Sequence, residues 1–483
     1  MKKLILPALI TSLLIPTMSY SDTYDSRVGK LEFTKDINNG YPTEATAELL
    51  YKEMDFQRAT QAYLWATPYV SFLKWQESFK EDLGLKNGEI ILQESYKDKL
   101  GGLTYNTTTP YALTFVDVDE TPWIMEIPEG GVRGSVSNMW QIGIKPITKA
   151  GKYLLVGPES VLPENVDDYI LIKSDTNTIM TGVRLMATDP AEKIKLLEGI
   201  KIYPISEIEN PQPRGYIETN DRDWMAAAPR GIEYFELLSK GINTNGPIHE
   251  RDRLMMGALK SLGIEKGKEF NPTKEQAKIL EEAALVGEAM AKTISYNERV
   301  ERLDDAFYVE DSKWNVLQTS KPNQRRENYD DFDGRVAYFY EAVTNDIAMH
   351  GMTNGGWGQV YLSTHKDNDD DWLDGEMNYK LTLPSKPPVD EFWSITLYEV
   401  DTRTIINNKT KKADLSSRHD LKMNADGSID LYFGPTAPAG LESNWVQTES
   451  GRNWFPYFRF YSPKEEVVSG EWVLPNIEKN TRL

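Results

Sequence analysis

Two blocks of β-like sequence, separated by a helical block, constrain the fold of this chain more than any other feature. From Glu89 to Met186, and again from Trp357 onward, short alternating or apolar runs are bounded by Gly, Pro, Asn and Asp. Turn residues at such spacing are typical of antiparallel sandwiches. Between the blocks the apolar period is helical, and we expect helices over 223–239, 249–262, 273–302 and 331–350.

The remaining segments complete a helix, β, helix, β order. Residues 43–84 predict a helix interrupted at Thr67-Pro68, and Asp189-Pro190 begins a short helix. The fold class is therefore expected to be mainly β with α, with two antiparallel β-sandwich domains and a helical segment between them. The expected boundaries are 1–21 for a leader, 43–215 for the N-terminal helices and sandwich, 216–350 for the helical domain and 351–483 for the C-terminal sandwich.

The charge balance and the lack of cysteine exclude several functional classes. The chain carries 54 basic and 74 acidic residues, a net charge of −20, and this acidity disfavours nucleic acid and anionic lipid as partners. No cysteine is present, which excludes thiol catalysis, zinc-thiolate sites, iron–sulfur clusters and disulfides.

The first 21 residues have the pattern of a secretory signal peptide. Lys2 and Lys3 precede an apolar run, and Ser19 and Ser21 occupy the −3 and −1 positions before Asp22. A membrane anchor is the alternative, but the run is too short and is broken by prolines. No later stretch approaches a transmembrane length. We expect a soluble product in the periplasm or the extracellular medium.

The sequence contains none of the familiar catalytic or cofactor signatures. There is no Gly-x-Ser-x-Gly, no His-Glu-x-x-His and no Walker-type glycine loop, so no cofactor is predicted. The histidines are far apart, and a surface or satisfied core position is favoured for each of His249, His350, His365 and His419.

An acidic run from Asp367 to Glu376 is the best candidate for a metal site. It holds six carboxylates, and calcium prefers such oxygen ligands. An EF-hand loop beginning at Asp367 would need glycine and glutamate where the chain has Trp372 and Asn378. A solvated turn is therefore favoured, no metal is predicted, and calcium is left as the alternative.

Aromatic and basic residues are interleaved in the C-terminal block. Its tryptophans suit either core packing or a sugar-stacking face, and packing is favoured. Arg403, Arg418 and Arg459 lie beside aromatic β segments, where each needs a carboxylate, a carbonyl or a bound anion. Phe458 and Phe460 share one face of a strand, which places Arg459 on the other face, either exposed or buried with a partner.

Several C-terminal motifs resemble a known family. They are Leu373-Asp-Gly375, Tyr379-x-Leu-x-Leu-Pro384, Phe392-Trp-Ser-Ile-Thr-Leu-Tyr398, Asn424-x-Asp-Gly-Ser428, Asn444-Trp445 and Arg459-Phe-Tyr-Ser-Pro463. In this order they resemble the C-terminal member of a paired domain-of-unknown-function family of exported bacterial proteins. The chain looks close to a member from Vibrio of known structure. The N-terminal partner domain resembles residues 45–190.

The resemblance implies an immunoglobulin-like sandwich, a helical segment and a jelly-roll-like sandwich, but no reaction. Asn106-Thr-Thr-Thr-Pro-Tyr111 stands where many relatives have Asn-x-Asp-Thr-x-Tyr. Because Thr108 replaces the aspartate, a role assigned to that aspartate cannot be carried over. The resemblance also carries an arginine at the position of Arg459, which favours the buried, partnered alternative.

We expect an exported envelope protein that acts as a binding or structural module. Its partner would be a small molecule, an envelope component or a further copy of the chain. The alternative is a hydrolase of envelope or extracellular saccharides or esters, which would need two carboxylates in a sandwich cleft. Catalytic residues are not predicted. The candidate ligand-binding residues are Asn106, Tyr111, Trp393, Arg403, Asn444 and Arg459.

Overall fold

The computed structural model describes residues 22–187, 189–219, 222–297, 302–345, 349, 352–353 and 356–480. The leader predicted at 1–21 lies outside the described residues. The chain divides into two compact units, Met1–Arg58 and Ala59–Leu483. In the first unit, strands β1 (Asp22–Ser26) and β2 (Gly29–Phe33) pair as an antiparallel hairpin.

The helices of the described residues lie in segments in which the sequence shows a helical period, except the last one, which lies in the C-terminal block predicted as β. They are α1 (Glu44–Glu81), α2 (Pro190–Gly199), α3 (Ile232–Thr244), α4 (Arg253–Lys260), α5 (Lys274–Tyr296), α6 (Phe332–Glu341) and α7 (Glu465–Val468). The Asp189 carboxylate accepts a hydrogen bond from the Glu192 N–H at 2.9 Å and caps α2, as its sequence predicts. Thr273 and Gln276 form a reciprocal capping box at the start of α5.

Helix α1 continues through Pro68, where the sequence predicted an interruption. The Thr67 hydroxyl donates to the Tyr63 carbonyl at 3.1 Å, and the Pro68 carbonyl accepts from the Gln141 side chain at 2.7 Å. Tyr69 and Phe72, on the following turn, are buried. Apolar packing of the helix around the proline thus offsets the loss of the backbone hydrogen bond that proline cannot donate.

The N-terminal β block forms a sandwich of two sheets. Its strands are β3 (Ile90–Gln93), β4 (Tyr111–Asp117), β5 (Trp123–Ile127), β6 (Val132–Asn138), β7 (Gly143–Ile147), β8 (Gly151–Val156), β9 (Ile170–Lys173), β10 (Thr178–Leu185), β11 (Lys201–Pro204) and β12 (Tyr216–Glu218). The strand orders are β12-β3-β4-β10-β6-β7 and β11-β5-β8-β9. One apolar core joins them, with Val116 and Ile179 from the first sheet and Met125 and Leu155 from the second.

The C-terminal β block forms a second pair of sheets. Its strands are β13 (Asn315–Val316), β14 (Met352–Thr353), β15 (Gly356–Trp357), β16 (Gln359–Ser363), β17 (Tyr379–Leu383), β18 (Val389–Glu399), β19 (Asp414–Ser416), β20 (Ile429–Gly434), β21 (Trp445–Gln447), β22 (Trp454–Pro463) and β23 (Glu478–Lys479). The larger sheets have the orders β13-β16-β22-β18-β19 and β21-β20-β17-β23, and β14 pairs with β15.

Strand β22 is buried on both faces. Trp454 packs against Tyr379 and Phe433 of the facing sheet, with ring centroids 5.7 and 5.4 Å apart. On the opposite face, Tyr457 donates to the Glu341 carboxylate of α6, and Arg459 donates to the Thr104 carbonyl of the N-terminal block. The larger C-terminal sheet therefore contacts its own sandwich partner on one side and earlier parts of the chain on the other.

The fold class predicted from the sequence is confirmed. Most strand pairs are antiparallel, and the parallel pairs β3–β12, β8–β9 and β20–β21 are short additions to sheet edges or ends. Strands β12 and β13 lie within the segment assigned to the helical domain and extend the sheets on either side of it. The exact domain boundaries stay a prediction.

Candidate functional site

A cavity of about 890 Å³ lies between the two β blocks, within the second compact unit. Strand register places Tyr111, Arg184 and Arg133 side by side on one face of the N-terminal sheet. In the C-terminal sheet, register places Tyr361 opposite Arg459. The two faces meet where Arg184 Nη2 donates to the Tyr361 hydroxyl at 3.3 Å, so each sheet supplies one wall of the cavity.

Arg459 is a buried cation in the cavity wall. Its side chain is 2% exposed, and its Nη2 donates to the Thr104 carbonyl at 2.8 Å. Its Nε and Nη1 are also buried, and neither makes a hydrogen bond of good geometry to a described residue. The Tyr398 side chain lies beside the guanidinium, with its ring centroid 5.6 Å from the guanidinium carbon. The guanidinium carbon lies 5.1 Å from the Tyr361 ring centroid and 5.2 Å from that of Tyr457, which gives partial cation–π stabilisation.

Arg184 brings a second guanidinium to the same cavity. Besides its hydrogen bond to Tyr361, it lies 5.5 Å from the Tyr111 ring centroid and 5.8 Å from that of Tyr461. In the described part of the chain, neither Arg184 nor Arg459 forms an ion pair with a carboxylate. The interior of the cavity is therefore electropositive.

The carboxylates of the described lining lie at its rim and have cationic partners. Glu391 is 3.3 Å from Arg133, and Asp390 is 3.5 Å from Lys464. The Asp390 side chain is exposed, and that of Glu391 is partly exposed. They compensate charge at the mouth of the cavity rather than around the two interior arginines.

Three of the predicted site residues come together here. Tyr111 and Arg459 line the cavity, and Asn106 lies directly behind the wall. The Asn106 side-chain amide donates to the Tyr461 hydroxyl, and its backbone N–H donates to the Tyr111 hydroxyl at 3.3 Å. Asn106 is thus placed to orient two tyrosines rather than to touch a ligand.

The other three predicted residues lie outside the cavity lining and support the fold. Trp393 stacks on Phe458 in the C-terminal core, with ring centroids 5.5 Å apart. Arg403 donates to the Tyr340 carbonyl at 3.1 Å and the Asp401 carbonyl at 2.6 Å.

Asn444 has a full set of hydrogen bonds to main-chain groups of two neighbouring segments. The side-chain carbonyl of Asn444 accepts from the Lys422 N–H at 2.8 Å, and its side-chain NH₂ donates to the Lys422 and Asp430 carbonyls at 2.8 and 2.9 Å. Ligand binding by Trp393, Arg403 and Asn444 stays a prediction.

Lys99 is a buried amine that no residue pattern in the sequence selects. Its Nζ donates to the Thr109 carbonyl at 2.7 Å and lies 5.1 Å from the Tyr111 ring centroid. Burial lowers the pKa of Lys99 to about 7, with Asp414 opposing the shift. Lys97-Asp-Lys99 looks like a charged surface turn in the sequence, and no local signal distinguishes the buried lysine from the exposed one.

A buried polar cluster lies behind Tyr457, another residue of the cavity wall. Glu341 is fully buried and accepts from the Tyr457 hydroxyl at 2.7 Å and from the Ser295 hydroxyl. His365 Nε2 is 3.5 Å from the same carboxylate, and its side chain is 10% exposed. His365 is thus a core histidine, one of the two positions expected for it. The cluster fixes the tyrosine, and it joins α5, α6 and β22.

The acidic run is organised around a lysine. Asp367 is fully buried and accepts the N–H groups of Asp369 and Asp371 at 2.9 and 3.1 Å. Lys479 Nζ contacts the Asp371 carboxylate and lies 3.3 Å from that of Asp367 and 3.7 Å from that of Asp369. The lysine amine therefore occupies the position in this turn to which the carboxylates would attract a metal cation.

Within the described ranges, no group of three or more His, Cys, Asp or Glu side chains is arranged to hold a metal ion. Across those same residues, no helix is both long enough and apolar enough to cross a membrane.

Two family models match the chain in tandem. Residues 91–204 match the model described as a protein of unknown function (DUF1254), and residues 358–465 match that of a protein of unknown function (DUF1214). The comparison with curated proteins gives no match. The cavity-lining residues Tyr111 and Arg184 fall in the first matched segment, and Tyr361 and Arg459 fall in the second.

Two solved structures are similar to this chain. One is the crystal structure of the VPA0106 protein from Vibrio parahaemolyticus, with a TM-score of 0.55 and 17% identity, covering 88% of this chain and 100% of that one. The other is a putative uncharacterized protein from Burkholderia cenocepacia, with a TM-score of 0.40 and 12% identity, covering 91% and 98%. The predicted resemblance to a paired family and to a Vibrio member is confirmed, and the Vibrio likeness shows the fold alone.

Proposed function

We propose that this protein is an exported binding protein whose cavity takes a small organic acid. The observation that carries the proposal is Arg459, a cavity-wall guanidinium with two buried nitrogen atoms that make no hydrogen bond of good geometry to a described residue. A buried charge and its donors are normally satisfied by a partner, and a planar guanidinium suits a carboxylate or phosphate.

The rest of the lining supports a ligand that also has an apolar or ring-shaped part. Trp75, Leu113, Ile147 and Met180 contribute apolar surface, and several tyrosines surround the arginines. A volume of about 890 Å³ lies within the range of small-molecule sites, roughly 300–1,000 Å³. An acid with an apolar body would bury both its charge and its hydrophobic surface here.

Binding is favoured over the hydrolase alternative because of where the carboxylates lie. Glycoside hydrolysis requires two acids facing one scissile bond. In the described lining, Asp390 and Glu391 lie at the rim, each within ion-pair distance of a cation. Hydrolysis therefore has no observation of its own in its favour.

Export rests on the sequence of residues 1–21, with their basic start, apolar run and small residues before Asp22. Periplasmic or secreted location is part of the proposal. Mass spectrometry of protein purified from the native host should give a mature chain that starts at Asp22. Recovery of the intact chain from soluble cytosol would remove the compartment from the proposal.

Ligand binding is tested by isothermal titration with acetate, benzoate, galacturonate, citrate and phenyl phosphate. At least one acid should bind wild type, and Arg459→Gln should weaken that binding about 30-fold, the loss expected for a charge-assisted hydrogen bond. Arg418→Gln is the matched control, because Arg418 is an exposed arginine in the turn after β19 and lies over the Phe392 ring. Equal binding by wild type and Arg459→Gln would overturn the proposal, as would binding of no acid at all.

A further inference from the structure

The second guanidinium of the cavity, Arg184, bears on which acids the cavity prefers. Arg184 projects from β10 in the N-terminal sheet, whereas Arg459 projects from β22 in the C-terminal sheet. Tyr361 connects them: its hydroxyl accepts from Arg184 at 3.3 Å, and its ring centroid is 5.1 Å from the Arg459 guanidinium carbon. The two cations therefore approach the same tyrosine from opposite walls.

The charges around this pair do not balance within the described residues. Tyrosine rings and hydroxyls surround both guanidiniums, and such groups stabilise a cation without neutralising it. The rim acids Asp390 and Glu391 are already near Lys464 and Arg133. Two like charges held in a partly buried space repel each other, and negative charge placed between them offsets that repulsion.

We infer, on the basis of the proposed function, that the ligand is an organic dianion held by Arg184 and Arg459 together. Either a dicarboxylate or a phosphate monoester supplies the required two negative charges. A monoanion would neutralise one guanidinium and leave the other uncompensated. The preference for two charges therefore comes from Arg184, the residue that the N-terminal sheet adds to the site.

The test compares matched acids by isothermal titration at pH 8, on the mature chain that starts at Asp22. Phthalate against benzoate differs by one carboxylate on the same ring, and phenyl phosphate against benzoate tests the phosphate source of the second charge. Wild type should bind at least one dianion about 30-fold more tightly than benzoate. Preference for phthalate alone identifies a dicarboxylate, and preference for phenyl phosphate alone identifies a phosphate monoester.

Two variants assign the preference to Arg184. In Arg184→Gln the ratio of dianion to benzoate affinity should fall below about 3-fold, whereas Arg184→Lys keeps the charge and should retain part of the ratio. Circular dichroism and thermal melting establish that each variant is folded. If Arg184→Gln does not fold, the test rests on the ratio of dianion to benzoate affinity in wild type and on the decrease of that ratio in Arg184→Lys.

The outcomes separate this inference from the proposed function. Equal binding of benzoate and both dianions would overturn the inference and leave acid binding intact. A dianion preference that survives unchanged in folded Arg184→Gln would also overturn it. Binding of none of the acids would overturn the proposed function itself.

Discussion

Replacing Lys99 by methionine should stabilise the protein, and the gain should shrink as the pH rises. Lys99 is fully buried, and burial lowers its pKa to about 7, although Asp414 favours the charged form. The difference from 10.5, the value for an unperturbed lysine, corresponds to about 5 kcal/mol of unfolding free energy. The other charged groups acting on Lys99 are Arg184, Asp98 and Glu94.

The direction of the pH effect follows from proton binding. Below pH 7 the amine is charged in both folded and unfolded chains, and the folded protein bears the whole penalty of burying it. Between pH 7 and 10.5 the unfolded chain binds more protons, so the unfolding free energy rises by up to about 1.4 kcal/mol per pH unit. Lys99→Met removes this dependence but loses the hydrogen bond to the Thr109 carbonyl, worth about 1–2 kcal/mol.

Urea unfolding at pH 6.5, 8 and 9.5 measures the difference in unfolding free energy between wild type and Lys99→Met. We expect the variant to be more stable by about 3 kcal/mol at pH 6.5 and by about zero at pH 9.5. Lys97→Met, two residues away and exposed, is the control and should stay within about 0.5 kcal/mol of wild type at every pH. A difference for Lys99→Met that does not change with pH would refute the reasoning.

Three further predictions concern single side chains. Arg459→Met should change the unfolding free energy by less than about 1 kcal/mol in urea, because the lost hydrogen bond to the Thr104 carbonyl is offset by removal of a buried charge that has no carboxylate partner in the described structure; a loss above about 3 kcal/mol would contradict this. Asn444→Ala should cost about 2–4 kcal/mol in the same assay, because main-chain groups of Lys422 and Asp430 lose a buried partner. Thermal melting of wild type in excess chelator and in millimolar calcium should give midpoints within about 5 °C, whereas Lys479→Met should respond more strongly to calcium. A larger calcium shift in wild type than in Lys479→Met would show that the lysine does not replace a metal.

Strand β22 shows which structural features a residue pattern predicts and which it does not. Alternation correctly placed Phe458 and Phe460 on one face and Arg459 on the other, because side chains in a strand alternate regardless of their surroundings. The same pattern could not reveal what covers the second face. A strand buried on both faces loses the polar and apolar contrast by which a solvent-facing side is identified. Alternation alone therefore leaves Arg459 either exposed or buried, and only the family resemblance favours the buried alternative.

The cavity could be predicted only in part, because its walls come from distant segments. Arg184 and Tyr361 are 177 residues apart in sequence, and the residues next to each of them form no pattern that predicts their contact. Tyr111 and Arg459 were selected through the resemblance and through the need of a buried guanidinium for a partner. Lys99 could not be selected at all, since its low pKa arises from burial that tertiary packing creates.

Strand β22 lies between β16 and β18 although it follows both in the chain. Until it is added, β16 and β18 each present an open edge of backbone N–H and C=O groups with no neighbouring strand on that side. Pairing between segments so far apart is slow, because the intervening loop must close before the new contacts form. A chain that stops before Trp454 would keep both edges open, and aggregation rather than a smaller folded domain is its expected fate.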